Sequence, residues 1–192
     1  MAKSEDLEVT PRFQLGAIFS GAALSLAVSI VLLQFGAAIG LTADAPLRGE
    51  ANIAAWGMIA AGLWLLWVQL LASLAGGYLA GRLRVVSAAS DPHDNEMRDG
   101  MAGLLTWAIA SVLAFIAIAI AAAFSTYVAI ATDSYNANAT VSDAEQNKAL
   151  IFAFVAGSTS LLSAAAAWWA GTMGGDHRDQ GTDFSKELSF RR

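Results

Sequence analysis

Four long stretches of this 192-residue chain contain no Asp, Glu, Lys, Arg or His, and they restrict its fold more than any other feature. They cover residues 13–43, 51–81, 100–132 and 149–175. Each is longer than the ~20 apolar residues with which an α-helix crosses a hydrocarbon core ~30 Å thick. Only 14% of all residues are charged, against roughly 25% in soluble domains. The sequence therefore predicts an all-α membrane protein, a bundle of four transmembrane helices.

The predicted boundaries follow these uncharged stretches. The transmembrane domain comprises residues 13–175, with helices at about 14–40, 53–82, 100–131 and 148–173. Residues 1–12 and 176–192 are polar or charged tails. The first uncharged stretch is far longer than the 7–15 apolar residues of a signal peptide, so we expect it to remain in the protein as a helix.

The distribution of Lys and Arg predicts that both tails lie in the cytoplasm, because short cytoplasmic loops are enriched in these residues. Arg48 and Lys148 are the only basic residues in the first and third connections between helices. Nine of the 11 basic residues therefore belong to the two tails and the 82–99 connection. The sequence predicts a multi-pass protein with both termini cytoplasmic.

Small residues recur at a spacing of four along three of the predicted helices. Residues at this spacing share one helix face, where they form a groove that lets two helix backbones approach closely in a bilayer. The predicted helix-packing residues are Ala17, Gly21, Ser25, Gly36 and Gly40 on the first helix, Ser73, Gly77 and Gly81 on the second, and Ser163, Ala167 and Gly171 on the fourth.

The grooves of the second and fourth helices correspond to each other. Adding 90 to the numbers of Gly77 and Gly81 gives Ala167 and Gly171, and Gly175 continues the pattern. We interpret the chain as two related helical hairpins. Because each hairpin contains two helices, both would enter the membrane in the same orientation, which makes this a parallel repeat rather than an inverted one.

The predicted spans contain no ionisable side chain. Proton-coupled transporters and voltage sensors depend on such side chains within the membrane, so the sequence argues against both. The strongest polar candidates are Gln34 and Gln69, and two interpretations remain open: each bonds to a neighbouring helix, or each lines a pathway. A rise of 1.5 Å per residue separates them by roughly 15 Å in depth, so we predict no hydrogen bond between them.

The charged connection 85–99 contains His93, Asp94 and Glu96, which are possible metal ligands. A metal site normally needs three or four ligands on rigid elements, which one loop does not supply. We predict a solvated loop in which Asp99 stabilises the positive end of the third helix.

No catalytic chemistry is expected either. The chain has no cysteine, which excludes disulfides and thiolate chemistry, and no nucleophile–base pair occurs at membrane depth. The net charge of −5 does not suggest binding to nucleic acid. We expect no catalytic residue, no metal and no cofactor.

Three segments carry a family resemblance: Arg12–Ala22 on the first helix, Ala75–Leu83 on the second, and Glu96–Trp107 leading into the third. They resemble small multi-pass membrane proteins of alphaproteobacteria, some of which are called PhnA-like. The resemblance covers about 12–110 and, more loosely, the fourth helix. It implies a location in the bacterial inner membrane and no catalytic residues. The group often has a His where this chain has Ala102.

The sequence thus favours a non-enzymatic structural or accessory subunit of the inner membrane. It would associate through its small-residue grooves with itself, as a homo-oligomer, or with a larger membrane-protein complex, and otherwise contact the lipid bilayer. The alternative is a channel or transporter for a small or neutral solute. Such a channel would have to be oligomeric, because four helices enclose too little interior for a wide pore.

Overall fold

The computed structural model describes residues 14–40, 51–85, 91–132 and 143–181. These form four α-helices, α1 (Leu15–Ala38), α2 (Ala51–Leu83), α3 (Pro92–Ala131) and α4 (Asp143–Asp179). Each helix contains a segment that is long and apolar enough to cross a membrane, with a mean hydropathy between 1.2 and 2.5. The predicted all-α class with four apolar helices is therefore confirmed.

α3 begins at Pro92, whereas the sequence prediction placed its start near residue 100. Asp91 caps the helix, since its side chain accepts a hydrogen bond from the backbone N–H of His93 at 3.0 Å. Proline is favoured at the first helical position because its missing N–H would have no helical partner there. The charged segment is thus largely helical, and the prediction that Asp99 lies at a helix end is wrong.

The other three helices also differ from their predicted limits, by a few residues at each end. The largest extension is in α4, which continues through Gly174 and Gly175 to Asp179 rather than ending near residue 173. This extension brings the last charged turn of α4 alongside α2 and α3.

α2 and α3 form the centre of the arrangement. Each contacts all three other helices, whereas α1 and α4 do not touch each other within the described residues. α2 and α4 run in the same direction, because Gly77 faces Ala167 and Gly81 faces Gly171. α1 runs antiparallel to α2, because Gly21 faces Gly76 and Gly36 faces Trp64.

Packing is close at one end of the bundle and loose at the other. At the closed end, where α2 and α4 terminate and α1 and α3 begin, Ala80, Ala102 and Ile18 are buried together. At the open end, every side chain from Phe115 to Val128 of α3 is exposed to the surroundings of the protein, as is every side chain from Ala153 to Ser158 of α4. Polar and charged side chains are therefore packed against other helices mainly at the closed end.

Candidate functional site

The predicted grooves of α2 and α4 pack against each other inside one chain. A β-carbon on Gly77 would collide with the carbonyl oxygen of Ala167, and one on Gly81 would collide with that of Gly171. Ser73 and Ser163, at the other end of the two grooves, are buried. Because the grooves are filled by each other, they are not available for binding a second copy of the chain.

α3 joins this contact through Gly103, which was not among the predicted packing residues. The position of a β-carbon on Gly103 of α3 is occupied by the carbonyl of Ala167, and the Cα atom of Gly103 lies 3.2 Å from the β-carbon position of Gly171. Three backbones therefore meet around Ala167 and Gly171. The closed end is held in place by backbone proximity, with many dispersion contacts.

The small residues of α1 pack on a different face of α2. Gly21 contacts the carbonyl of Gly76, and Ser25 donates a hydrogen bond to the carbonyl of Ala72 at 2.8 Å. Ala17 is buried on the same side. Gly21 and Ser25 thus lie in a helix contact, and Ala17 is buried one turn before Gly21.

Gly36 and Gly40, the last two predicted packing residues of α1, behave differently from each other. The indole of Trp64 fills the position of a β-carbon on Gly36, so Gly36 contacts α2. Gly40 lies beyond the helix with a φ of +81°, and no described atom lies within 4 Å of its β-carbon position. Gly40 serves a turn that L side chains rarely adopt, and its predicted role in helix packing is not found among the described residues.

Ser163 is a hydrogen-bond hub between three helices at mid-height. Its hydroxyl oxygen accepts from Gln69 Nε2 at 3.3 Å and from Trp107 Nε1 at 2.9 Å, and it donates to the carbonyl of Ser160 at 2.9 Å. Gln69 therefore bonds a neighbouring helix, as in the first of its two interpretations. Gln34 lies on the exposed surface of α1 and has no hydrogen bond to the described residues.

An ionic cluster at the closed end joins α2, α3 and α4. The carboxylate of Asp99 on α3 is only 2% exposed and lies between Arg84, which follows α2, and Arg178 on α4. Arg84 Nε donates to Oδ1. Arg178 donates from Nη1 to Oδ1 at 3.1 Å and from Nη2 to Oδ2 at 3.0 Å. This bidentate geometry is the one in which a guanidinium binds a carboxylate most strongly.

The same arginines also bind backbone carbonyls at the helix ends. Arg178 Nη1 donates to the carbonyls of Gly81 and Arg84, at 2.8 and 3.1 Å, and Arg84 Nη2 donates to that of Asn95 at 2.9 Å. The last carbonyls of a helix have no partner within the helix and carry a partial negative charge. Arg178 therefore caps α2 while it pairs with α3.

A second polar cluster lies on another face of the α2–α4 contact. The hydroxyl of Tyr78 accepts a hydrogen bond from Arg82 Nη1 at 3.2 Å and lies 3.2 Å from Nδ1 of His177. The two rings meet edge to face with their centroids 5.8 Å apart. All three side chains are half-buried.

The remaining candidates for chemistry have no such surroundings. His93, Asp94 and Glu96 are exposed on the first turns of α3, and no group of His, Asp or Glu in the described part of the chain could hold a metal. An open surface groove between α1 and α3 is lined by apolar residues alone: Phe19, Ala108, Ile109, Val112 and Leu113. Trp64 Nε1 is buried without a hydrogen-bond partner among the described residues.

No protein-family model matches this chain, and no match is found among curated proteins or solved structures.

Proposed function

We propose that this protein is a non-enzymatic integral membrane protein, and that it acts as a structural or accessory subunit of the bacterial inner membrane. Its four apolar helices are compatible with a multi-pass protein. The observation that carries the proposal is the contrast between the two ends of α3. Its first half is packed against three helices, whereas Phe115–Val128, which is apolar apart from Ser125, Thr126 and Tyr127, is exposed at every position. We infer that this half of α3 is the surface that meets a partner within the membrane.

The small residues on this surface support that assignment. In lipid, helices associate where small residues let their backbones approach. The grooves of α1, α2 and α4 are already filled within the chain, whereas Ala117, Ala121 and Ser125, which share one face of α3, are exposed. We infer that association through small residues uses this face of α3, as a homo-oligomer or with a different membrane protein.

The parallel repeat and the orientation belong to the same proposal. The direct contact of Gly77 with Ala167 and of Gly81 with Gly171 supports two related hairpins, since residues 90 positions apart face each other on parallel helices.

The excess of Lys and Arg on one side supports cytoplasmic termini. Reporters fused after residue 192 and within 86–90 should be active in the cytoplasm, and reporters within 42–50 and 134–140 in the periplasm. A periplasmic result at 86–90 would contradict two hairpins.

Disulfide crosslinking tests the partner surface, because the chain contains no cysteine of its own. Single cysteines at Ala117, Ala121 and Ser125 should crosslink two copies in native membranes, whereas Ala119→Cys, on another face of α3, should crosslink less. Ala72→Cys is the matched control, since Ala72 is buried against α1. If no homodimer forms, purification in mild detergent should recover a stoichiometric membrane-protein partner.

Two outcomes would overturn the proposal. One is a protein that neither crosslinks at α3 nor retains any partner in mild detergent. The other is specific solute flux through liposomes that contain only this protein, which would instead support the oligomeric channel.

A further inference from the structure

Gln34 is a polar side chain to which the described part of the chain offers no partner. It is exposed on α1, and none of the described residues forms a hydrogen bond with it. The nearby Phe35 and Ile39 are apolar and are 61% and 66% exposed. Gln69 differs from Gln34, because its amide bonds Ser163 on a neighbouring helix. The amide of Gln34 therefore remains open to a partner from outside these helices.

Gln34 lies within the hydrocarbon layer when α1 crosses a bilayer. The 24 residues of α1 rise about 36 Å, which exceeds the thickness of the hydrocarbon core by about 6 Å. Gln34 is four residues before the helix end at Ala38. Side chains lean toward the N-terminus of their helix, which for α1 is the closed end of the bundle. The amide thus points away from the nearer membrane surface into the apolar layer, where an amide without a hydrogen bond is costly.

Gln34 also belongs to a row of exposed residues on α1. The spacing along this row alternates between three and four, which places its members on one face of the helix. This α1 seam consists of Ser20, Ala23, Ala27, Ile30, Gln34 and Ala37, all of them exposed. The seam lies opposite the face that packs on α2, because Gln34 and Ser25 are about 180° apart around the helix. The bundle therefore leaves the whole seam uncovered.

The chemistry of the α1 seam fits a second copy of the same chain. A glutamine amide has a carbonyl acceptor and two N–H donors, so two copies of Gln34 can each donate to the carbonyl of the other. Two copies insert in the same orientation, and a two-fold axis along the membrane normal then places both amides at the same depth. The alternating spacing is that of two helices in a left-handed coil, and Ala23 and Ala27 let their backbones approach closely.

We propose that two copies of this chain associate along the α1 seam, with reciprocal hydrogen bonds between their Gln34 amides. A polar residue in such a seam also fixes the register of the two helices, because a shift along the axis separates the amides. The inference rests on the membrane location within the proposed function. It does not rest on the α3 surface, which is a separate face of the molecule.

Single cysteines in the full-length protein test this contact in native membranes. Ala27→Cys and Ala37→Cys lie on the seam and should form disulfide-linked dimers on mild oxidation. Phe35→Cys is the matched control, because Phe35 is also exposed and lies at nearly the same depth as Ala37, but about 100° from Gln34 around the helix. It should crosslink at most weakly. Crosslinking of Phe35→Cys as efficient as that of Ala37→Cys would show random collisions and overturn the seam.

Substitution of Gln34 separates the hydrogen bond from the fit of the helices. Sedimentation equilibrium in mild detergent should give a dissociation constant of the dimer about tenfold higher for Gln34→Leu than for the wild type, the factor for an interhelical hydrogen bond in model peptides. Gln34→Asn keeps the amide and should weaken the dimer less. An unchanged dissociation constant in Gln34→Leu would overturn the amide contact. The melting temperature of the monomer should not change, and a destabilised Gln34→Leu monomer would place the partner of Gln34 within its own chain.

Three further results would distinguish the seam from other assignments. Recovery of a different membrane protein that requires Gln34 for its retention, without any dimer of this chain, would overturn the choice of a second copy. Release of the protein from membranes by alkaline carbonate would contradict the membrane location on which the seam depends. Crosslinking on the seam without crosslinking at Ala117, Ala121 or Ser125 would support the seam and contradict only the α3 surface.

Discussion

The carboxylate of Asp99 occupies the position that a β-carbon on Gly175 would take. The last turns of α4 can lie against α3 only because residue 175 has no side chain. Arg178 follows nearly one turn later and from there reaches both carboxylate oxygens of Asp99. Gly175 therefore continues the small-residue pattern of α4 for a different reason from Gly171, which contacts backbone. It makes room for a buried anion.

Gly175→Ala should destabilise the protein even though Ala is a better helix former than Gly by roughly 1 kcal/mol. The added methyl group overlaps the Asp99 carboxylate, and overpacking of this kind costs about 1–3 kcal/mol. The measurement is the free energy of unfolding in detergent micelles. Gly157→Ala is the matched control, because nothing lies within 4 Å of its β-carbon position, and it should leave stability unchanged or raised. Equal stability of the two variants would contradict the contact between Gly175 and Asp99.

Asp99→Asn should lower the free energy of unfolding by roughly 1.5–3 kcal/mol, the range for hydrogen bonds that involve a charged group. The substitution keeps the shape of the side chain but removes the anion that Arg84 and Arg178 share, so that Arg178 retains only its ion pair with Asp179. Asp94→Asn removes the same charge from an exposed position in the first turn of α3. It should cost at most about 1 kcal/mol, through the helix dipole. A stability of Asp99→Asn equal to that of Asp94→Asn would show that the buried cluster does not hold the closed end together.

The four helices could be predicted from the sequence because hydropathy and charge are local properties of a segment. The start of α3 could also have been predicted from Asp91 and Pro92, since aspartate favours the cap and proline the first helical position. The prediction failed because it treated every charged segment as loop. A charged helical turn at a bundle end is stable when its acid, here Asp99, is paired across helices.

The ionic cluster itself could not be predicted from spacing. Arg84 and Asp99 are 15 residues apart, and Arg178 is a further 79 residues away. Only the arrangement of α2, α3 and α4 brings them together. By contrast, the small residues Gly77 and Gly81, four positions apart, indicated a close helix contact, and the structure contains that contact. That spacing did not say whether the contact lies within one chain or between two.

Ser163→Ala should reduce stability by about 1 kcal/mol, because interhelical hydrogen bonds in membrane proteins contribute ~0.6 kcal/mol each on average and two donors lose their acceptor. These donors are Gln69 Nε2 and Trp107 Nε1. Ser158→Ala is the control, since its hydroxyl is exposed and bonds only the carbonyl of Phe154 in its own helix. In a double-mutant cycle with Trp107→Phe, the loss of stability in the double variant should differ from the sum of the losses in the two single variants. Additive effects in that cycle would mean that Ser163 and Trp107 do not interact.

Gly77→Leu and Gly81→Leu test the packing of α2 on α4. Each added side chain would meet the carbonyl of Ala167 or Gly171 and push α4 away, which should cost about 1–3 kcal/mol. Helix propensity alone predicts the opposite sign, because Leu favours a helix more than Gly does.

The control for these two variants is Ala60→Leu, a similar enlargement at an exposed position of the same helix. We expect both glycine variants to melt at a lower temperature in detergent than Ala60→Leu. Because the contact lies within one chain, the loss should not depend on protein concentration. A loss that disappears on dilution would place the contact between chains, and variants as stable as Ala60→Leu would show that this face of α2 meets lipid.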